Sequence, residues 1–236
     1  MSKSISLIPT NSWDNFSGFL PNNIQVTGLG DKLHKGSEIL SFKSFNQFYR
    51  DFHLSNYHNP GSLVLGGIEP NTYLVGNQPD LYGLDDMQKM MALDQISYLP
   101  DDILVKVDRA SMAASLETRV PFLDHRIVEF SWSLPQSFKF RDGQSKWPLR
   151  QILYKYVPQH LIDRPKSGFS IPLNEWLRGP LRDWAEELLN ERRLNQEGIF
   201  NSDAVRTLWL DHQSGKRNWA QILWSIIMFQ AWLEEQ

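Results

Sequence analysis

Apolar residues in the second half of the chain recur at intervals of three and four, which is the pattern of amphipathic helices. One stripe joins Val205, Leu208, Trp209 and His212 behind a possible Ser202 cap. No alternating apolar and polar run of useful length predicts a strand. The segment is therefore predicted to be almost entirely helical. The predicted helices cover about 85–98, a stretch opening at Pro100, 124–134, 146–156, Leu173–Arg178, a stretch opening at Pro180, a stretch opening at Ser202, and 218–234.

The first 84 residues are rich in glycine, proline and asparagine, which predicts loops. A short helix is expected near 12–20. A second helix is expected to begin at Ser37 or Ser41 and to reach about His53, with a buried aromatic stripe of Phe42, Phe45, Phe48, Tyr49 and Phe52. We accordingly divide the chain into a loop-rich lead-in (1–84) and a helical part (85–236).

Composition narrows the class of protein. The chain has 236 residues, of which 41% are hydrophobic, so it can bury a substantial core. A formal net charge of −3 argues against a nucleic-acid binder. No run of 18 apolar residues predicts a membrane span, and the N-terminus lacks the apolar block of a signal peptide. These features predict a cytoplasmic protein.

Cysteine is absent, which excludes disulfides, thiolate metal ligands and a cysteine nucleophile within this sequence. The six histidines show no metal-ligand spacing. We therefore predict no metal site built by this chain.

Charged side chains are dense between Asp101 and Asp124, among apolar residues. Burying such charges is costly unless they pair or meet a polar ligand. Glu117 and Arg119 are expected to pair with Arg109 and Asp124, or with Asp108, in a structural network. The five acids and three bases of this stretch are Asp101, Asp102, Asp108, Glu117 and Asp124 with Lys106, Arg109 and Arg119.

The middle of the chain is locally positive, with twelve lysines and arginines against seven acids between Leu104 and Arg178. Such a balance suits an anionic ligand such as a nucleotide phosphate, although solvated helix faces would give the same count. Within it, Lys166 lies between Pro165, which stiffens the loop, and Gly168, which permits an unusual turn. Lys166 could donate to phosphate oxygens and neutralise a leaving pyrophosphate, or it could be an ordinary surface lysine.

Four runs resemble the C-terminal part of glutamine-hydrolysing asparagine synthetases, strongly over 85–235 and loosely over 1–84. They are YLPDDILVKVDRASMAASLETRVPFLDHRIVEF, GQSKWPLRQIL, RPKSGFSIPLNEWLRGPLRDW and WSIIMFQAWL. The resemblance implies the helical C-terminal part of an α/β synthetase domain of the adenine-nucleotide α-hydrolase-like (PP-loop) class. It also implies ATP and Mg²⁺, with which the family adenylates the β-carboxylate of aspartate before ammonia displaces AMP.

By position, Lys166 matches the family lysine that contacts the phosphates of ATP and the pyrophosphate. A signature block is implied to support the site, and its residues here are Asp108, Arg109, Glu117, Arg119 and Asp124.

Other family features are missing from this sequence, namely the Ser-Gly-Gly-x-Asp-Ser pyrophosphate loop, the acidic loop and the N-terminal cysteine of the glutaminase. We therefore expect a C-terminal fragment that is inactive alone and works with the missing glutaminase and PP-loop portion, in cis or in trans. A homodimer stays open. The alternatives are a non-catalytic helical module or split-enzyme subunit that binds a partner, and a related amidotransferase with a different carboxylate acceptor.

Overall fold

The computed structural model describes residues 5, 7–19, 21, 26, 28–54, 60–68, 70–73, 79–164 and 171–236. These residues are mainly α-helical, with one two-stranded sheet among them, which confirms the predicted fold class. The chain forms two compact units. Unit 1 combines Met1–Leu99 with Ser170–Gln236, and unit 2 is Pro100–Phe169. The division at residue 84 into a loop-rich lead-in and a helical part stays a prediction.

The helices, in chain order, are α1 (Thr10–Gly18), α2 (Leu29–Ile39), α3 (Phe45–Phe48), α4 (Asp86–Ile96), α5 (Val105–Ala113), α6 (His125–Ser133), α7 (Gln136–Lys139), α8 (Trp147–Leu153), α9 (Gln159–Ile162), α10 (Leu173–Arg178), α11 (Arg182–Leu188), α12 (Glu191–Glu197), α13 (Ser202–Gln213) and α14 (Ala220–Glu234). π-Helical turns cover Tyr49–Leu54 and Leu99–Leu104, and 3₁₀ turns cover Pro60–Ser62 and Pro121–Leu123. The strands are β1 (Phe140–Arg141) and β2 (Gln144–Ser145).

The core of unit 1 lies among helices α10–α14. Leu177, Val205, Leu223 and Ile227 are fully buried there, as their helical spacing predicts. Leu63 of the N-terminal region joins the same core, and its carbonyl accepts a hydrogen bond from the backbone N–H of Asn201 at 2.8 Å. Sequence-distant parts of the chain therefore share one core in unit 1.

Helix α2 was not predicted, because its glycines resemble loop residues. One of these glycines, Gly30, lies where α2 comes close to α1. A Cβ added at Gly30 would lie 2.2 Å from the carbonyl oxygen of Thr10, so only glycine permits this approach of α2 to α1. The backbone N–H of Gly30 also donates to the side chain of Asp14 at 2.9 Å.

The predicted helix from Ser37 or Ser41 to His53 is wrong as a single element. Helix α2 ends at Ile39, and α3 begins at Phe45 behind Ser44, whose hydroxyl accepts from the backbone N–H of Gln47 at 3.2 Å. In the aromatic stripe Tyr49 is buried, whereas Phe42, Phe45 and Phe48 are partly buried. The side chain of Phe52 lies outside the described residues.

Several helix caps follow the sequence signals. Asp85 caps α4 in a reciprocal capping box with Gln88, and Asp124 caps α6 by accepting from the backbone N–H of Arg126 at 2.9 Å. The predicted Ser202 cap lies one residue too late, because Asn201 accepts the hydrogen bond from Ala204 at 3.1 Å. The short helices α9 and α12 were missed, since neither carries a complete apolar stripe.

Unit 2 contains the hairpin β1–β2, which turns at Asp142 and Gly143. Both residues have positive φ angles, 49° and 77°, as a two-residue type I′ turn requires. No residue of 100–164 is buried, although this range is described throughout. Unit 2 therefore has secondary structure but no buried core within that range.

Candidate functional site

The predicted site residues lie in two blocks of unit 2, the first at 101–124 and the second at 164–169 around Lys166. The first block takes in most of the π-helical turn at Leu99–Leu104, then α5 and the 3₁₀ turn at Pro121–Leu123. Helix α5 ends at a reversal in which the backbone N–H of Leu116 donates to the carbonyl of Ser111 at 2.9 Å, and Ser115 adopts a φ of 57°. This is the geometry of a C-terminal Schellman motif, where glycine is usual. The segment that follows it, 116–120, is non-helical and carries the Glu-Thr-Arg triplet.

The charges of this block pair locally. Arg119 pairs with Glu117 at 2.6 Å, Arg126 with Asp124 at 2.6 Å, and Lys106 with Asp102 at 2.7 Å. The predicted pairing of Glu117 and Arg119 with Arg109, Asp124 or Asp108 is therefore wrong. The pairs are also exposed or half-exposed, so they contribute little to folding.

Asp108 and Arg109 are both exposed on α5, and neither forms an ion pair with another residue that the structure describes. Exposure removes the cost that a buried unpaired charge would have. These two side chains are consequently available to a ligand or to another polypeptide.

Asp124 joins the block to α6 through its cap. Hydrogen bonds from the Arg126 side chain, and then from its backbone N–H, hold the pKa of this carboxyl below its usual value. Asp124 therefore stays ionised and fixed at the start of α6, which fits a supporting role.

A second polar cluster, which we call the Asp163 network, was missed by sequence reasoning. The Asp163 carboxylate accepts from the Tyr154 hydroxyl at 2.7 Å, from the Gln159 amide at 2.7 Å and from the Arg150 guanidinium. Arg150 also donates to the carbonyl of Ser145 at 3.1 Å. The bonds from Gln159 and then Tyr154, with Arg150 nearby, lower the pKa of Asp163. The available signal was the run of polar residues at intervals of four or five that precedes the second block.

The second block follows this network directly. Arg164 is exposed, whereas Lys166 lies outside the described residues, as do its neighbours in 165–170. The Asp163 network thus fixes the backbone three residues before Lys166.

Asp163→Asn is expected to loosen this anchor, because a neutral amide accepts more weakly from Arg150 and would present an N–H to other donors. Trypsin should then cut after Lys166 several-fold faster, while the Arg164–Pro165 bond resists cleavage in both proteins. Mass spectrometry of timed digests measures the rate. Asp142→Asn in the exposed hairpin turn is the matched control, and equal rates for the two variants would refute the anchoring role.

Unit 1 contains a separate buried polar group, His212 in α13. Its Nδ1 accepts from the backbone N–H of Trp219 at 3.2 Å, and its carbonyl accepts from Nε of Arg178 at 2.7 Å. Burial, and then the nearby Arg178 guanidinium, lower the pKa of His212 to about 4. His212 is thus a neutral structural histidine in unit 1 at neutral pH.

Other kinds of site receive no support from the described part of the chain. There, no group of three or more histidine and acidic side chains is arranged to hold a metal ion. Among the same residues, no helix has both the length and the apolar character needed to cross a membrane.

The chain is similar to known proteins over nearly its whole length. Residues 5–234 match the asparagine synthase family. A Mycobacterium tuberculosis protein, provisionally named a glutamine-hydrolysing asparagine synthetase, is 35% identical over 218 residues. Asparagine synthetase [glutamine-hydrolyzing] 1 of Bacillus subtilis is 32% identical over 147 residues, and the Rattus norvegicus asparagine synthetase is 29% identical over 137 residues. No solved structure gives a significant match.

These alignments cover 90%, 62% and 51% of this chain, but only 32%, 23% and 24% of the respective relatives. The chain thus spans about a quarter to a third of the length of these relatives. The family match itself extends over both units and includes both candidate blocks. The chain belongs to the asparagine synthase family.

Proposed function

We propose that this chain supplies the helical C-terminal part of an ATP-dependent asparagine synthetase. In that reaction the β-carboxylate of aspartate attacks the α-phosphate of ATP and releases pyrophosphate. Ammonia derived from glutamine then attacks the acyl carbon and displaces AMP to form asparagine. The observation that carries the proposal is the family match over 5–234, which includes both candidate blocks of unit 2.

Lys166 is assigned to the phosphates of ATP and to the departing pyrophosphate. Its ammonium group would offset the charge that grows on the leaving group as the bond to the α-phosphate breaks. The Asp163 network supports this assignment, because it anchors the chain just before the lysine.

The first block is assigned to a supporting wall made by Asp108, Arg109, Glu117, Arg119 and Asp124. Arg109 is exposed and has no ion-pair partner among the described residues, so its guanidinium can meet an anionic group. Asp124 and Glu117 are already engaged with neighbouring arginines, which favours a structural role for them.

The described acids of this chain do not fit a Mg²⁺ site. Mg²⁺ needs several oxygen ligands in near-octahedral geometry, whereas Asp102 and Asp124 pair with cations and no acidic cluster forms among the described residues. We assign the metal ligands to the rest of the parent enzyme and derive no step through the metal.

The chain alone is expected to bind ATP more weakly than micromolar, because few phosphate-contacting groups are present without the pyrophosphate loop. Isothermal titration calorimetry with ATP measures this, and Lys166→Ala should give an indistinguishable weak signal. Micromolar binding by the isolated chain, lost in Lys166→Ala, would contradict the assignment of most nucleotide contacts to other parts of the enzyme.

Co-expression with the portion of the M. tuberculosis relative that precedes the matched stretch is expected to restore asparagine formation. In that complex Lys166→Ala should lower kcat/KM for ATP roughly 10²–10³-fold, the effect of removing one group that stabilises developing charge. Lys155→Ala, which removes an exposed lysine from the same unit, is the control. A complex that makes asparagine equally well with either variant would refute the role of Lys166.

A partner-binding subunit of a split enzyme is the second candidate, favoured by the lack of buried residues across 100–164. It predicts a stable complex in the same co-expression, whether or not asparagine forms. The assay therefore separates a subunit that completes a catalytic site from a helical module that only assembles with a partner.

A further inference from the structure

The helices of unit 2 carry apolar stripes that the described residues leave uncovered. On the first, Leu123, Ile127 and Phe130 follow at intervals of four and three through the 3₁₀ turn and α6. On the second, Leu149, Ile152 and Tyr156 follow at intervals of three and four through α8 and just beyond it. Every one of these six side chains is exposed. We call them together the unit 2 apolar surface.

Similar stripes in unit 1 are buried, which shows what such a pattern normally does. Val205, Leu208 and Trp209 of α13 have the same helical spacing and lie in the core of unit 1. The stripes of the two units therefore have the same apolar character and differ in whether other residues pack on them. An apolar helix stripe is stable in water only when a second layer of structure packs on it.

The two helices that carry these stripes are also short. Helix α6 has nine residues and α8 has seven, well below the roughly 12–15 residues at which an isolated helix becomes even marginally stable in water. Their helical form must come from packing, yet 100–164 contains no buried residue to supply it. The described residues of unit 2 therefore supply no covering layer for α6 and α8.

The covering layer has an identifiable source, and this step rests on the proposed function. The relatives match this stretch with only 23–32% of their own length, so most of each relative lies outside the match. We infer that the unit 2 apolar surface is the docking face for the polypeptide that precedes the matched stretch in a full-length synthetase. The occupant would present a complementary apolar layer of helices or strands to α6 and α8.

The test is a binding measurement between the full 236-residue chain and that preceding portion, taken from the M. tuberculosis relative and co-expressed. Phe130→Asp with Ile152→Asp places two charges on the unit 2 apolar surface, at side chains of residues that are 64% and 54% exposed. The pair of changes should weaken the complex at least 100-fold. Phe19→Asp with Leu40→Asp is the matched control, because these unit 1 residues are 88% and 73% exposed and lie outside the surface.

Hydrogen exchange adds a reading that does not depend on the variants. Complex formation should protect the amides of α6 and α8, while those of α14 stay as they were. Circular dichroism of each free variant verifies that its helix content is retained.

Equal binding of both double variants, or protection confined to unit 1, would overturn the inference. A chain that forms a dimer of itself, lost in Phe130→Asp with Ile152→Asp but not in the control, would overturn it in favour of a second copy as the occupant. A complex that forms as expected but makes no asparagine would uphold the docking face and refute the proposed function. The two conclusions therefore fail separately.

Discussion

Trp209→Ala should destabilise unit 1 by about 3–5 kcal/mol, the usual cost of deleting a buried aromatic side chain. Trp209 is only 1% exposed and lies in the core formed by α10–α14. Its indole N–H donates to the carboxylate of Glu186, and its ring stacks on His212 with 6.3 Å between ring centroids. The substitution therefore removes packing, one hydrogen bond and one ring contact together.

Because small proteins are stable by only about 5–15 kcal/mol, this loss would remove a large part of the total. Urea unfolding followed by far-UV circular dichroism measures it as a shift of the midpoint at an unchanged slope. Trp232→Ala is the matched control, since the same change is made in α14 at a residue that is 53% exposed. A loss below about 1 kcal/mol for Trp209→Ala, or equal losses for both variants, would show that the core does not lie where the structure places it.

Trp209→Phe separates the contribution of packing to stability from that of the hydrogen bond to Glu186. The phenyl ring keeps most of the buried apolar volume but cannot donate to Glu186, which retains its ion pair with Arg206 at 2.7 Å. A cost of about 1–2 kcal/mol would assign the smaller share to the hydrogen bond. A cost equal to that of Trp209→Ala would mean that the bond matters more than the packing.

The helices of the C-terminal half could be predicted because their apolar spacing and their caps agree. The stripe from Val205 to His212 is buried as its period requires, and Leu173–Arg178 has the predicted bounds. Even His212 followed from the pattern, because it lies in line with three core residues. The apolar spacing did not predict the surroundings of His212, because they depend on Arg178 from another helix.

The N-terminal region was harder to predict because its glycines serve contacts that the local sequence does not contain. Gly30 indicates a turn when only its neighbours are considered, yet it permits α2 to approach Thr10. Thr10 in turn donates through its hydroxyl to the carbonyl of Gly215, 205 residues away in sequence. No local propensity contains that information.

The pairing of the charged residues in the first candidate block was predicted wrongly. The density of charge between Asp101 and Asp124 suggested a buried network, because charges among apolar residues imply burial. The structure leaves them exposed or half-exposed. Asp102, Glu117 and Asp124 each pair with a cation two to four residues further along the chain, whereas Asp108 forms no ion pair among the described residues. Most of the apolar residues between them are exposed as well, and the sequence pattern alone cannot distinguish a covered stripe from an exposed one.

Acidification is expected to destabilise unit 1 through His212. The lowered pKa of this side chain, about 4, compares with an ordinary value near 6.5. Between these two values the unfolded chain binds a proton that the folded chain does not, so stability falls as the pH falls from about 6.5 to about 4. At about 1.4 kcal/mol per pKa unit, the full loss is at most about 3–4 kcal/mol.

The groups that face His212 explain why its pKa is lowered. Burial disfavours the charged imidazolium and the Arg178 guanidinium repels it, while the nearby backbone of Asn174 and the Glu175 carboxylate favour it more weakly. Because carboxylates also bind protons as the pH falls, the test compares the pH dependence of stability in the wild-type chain with that in a His212 variant. His212→Asn keeps an acceptor near the position of Nδ1 for the Trp219 N–H but cannot bind the proton. Its urea midpoint should therefore depend less steeply on pH between 6.5 and 4 than that of the wild-type chain.

His125→Asn provides the control for that comparison, because the His125 side chain is 80% exposed at the start of α6. Its midpoint should follow the wild-type pH dependence. Parallel curves for the wild-type chain and His212→Asn would mean that His212 reaches water and titrates normally in the folded state. That result would also weaken the position assigned to Trp209, whose ring covers one side of the histidine. The acid titration and the Trp209→Ala measurement thus probe the same corner of the core by independent means.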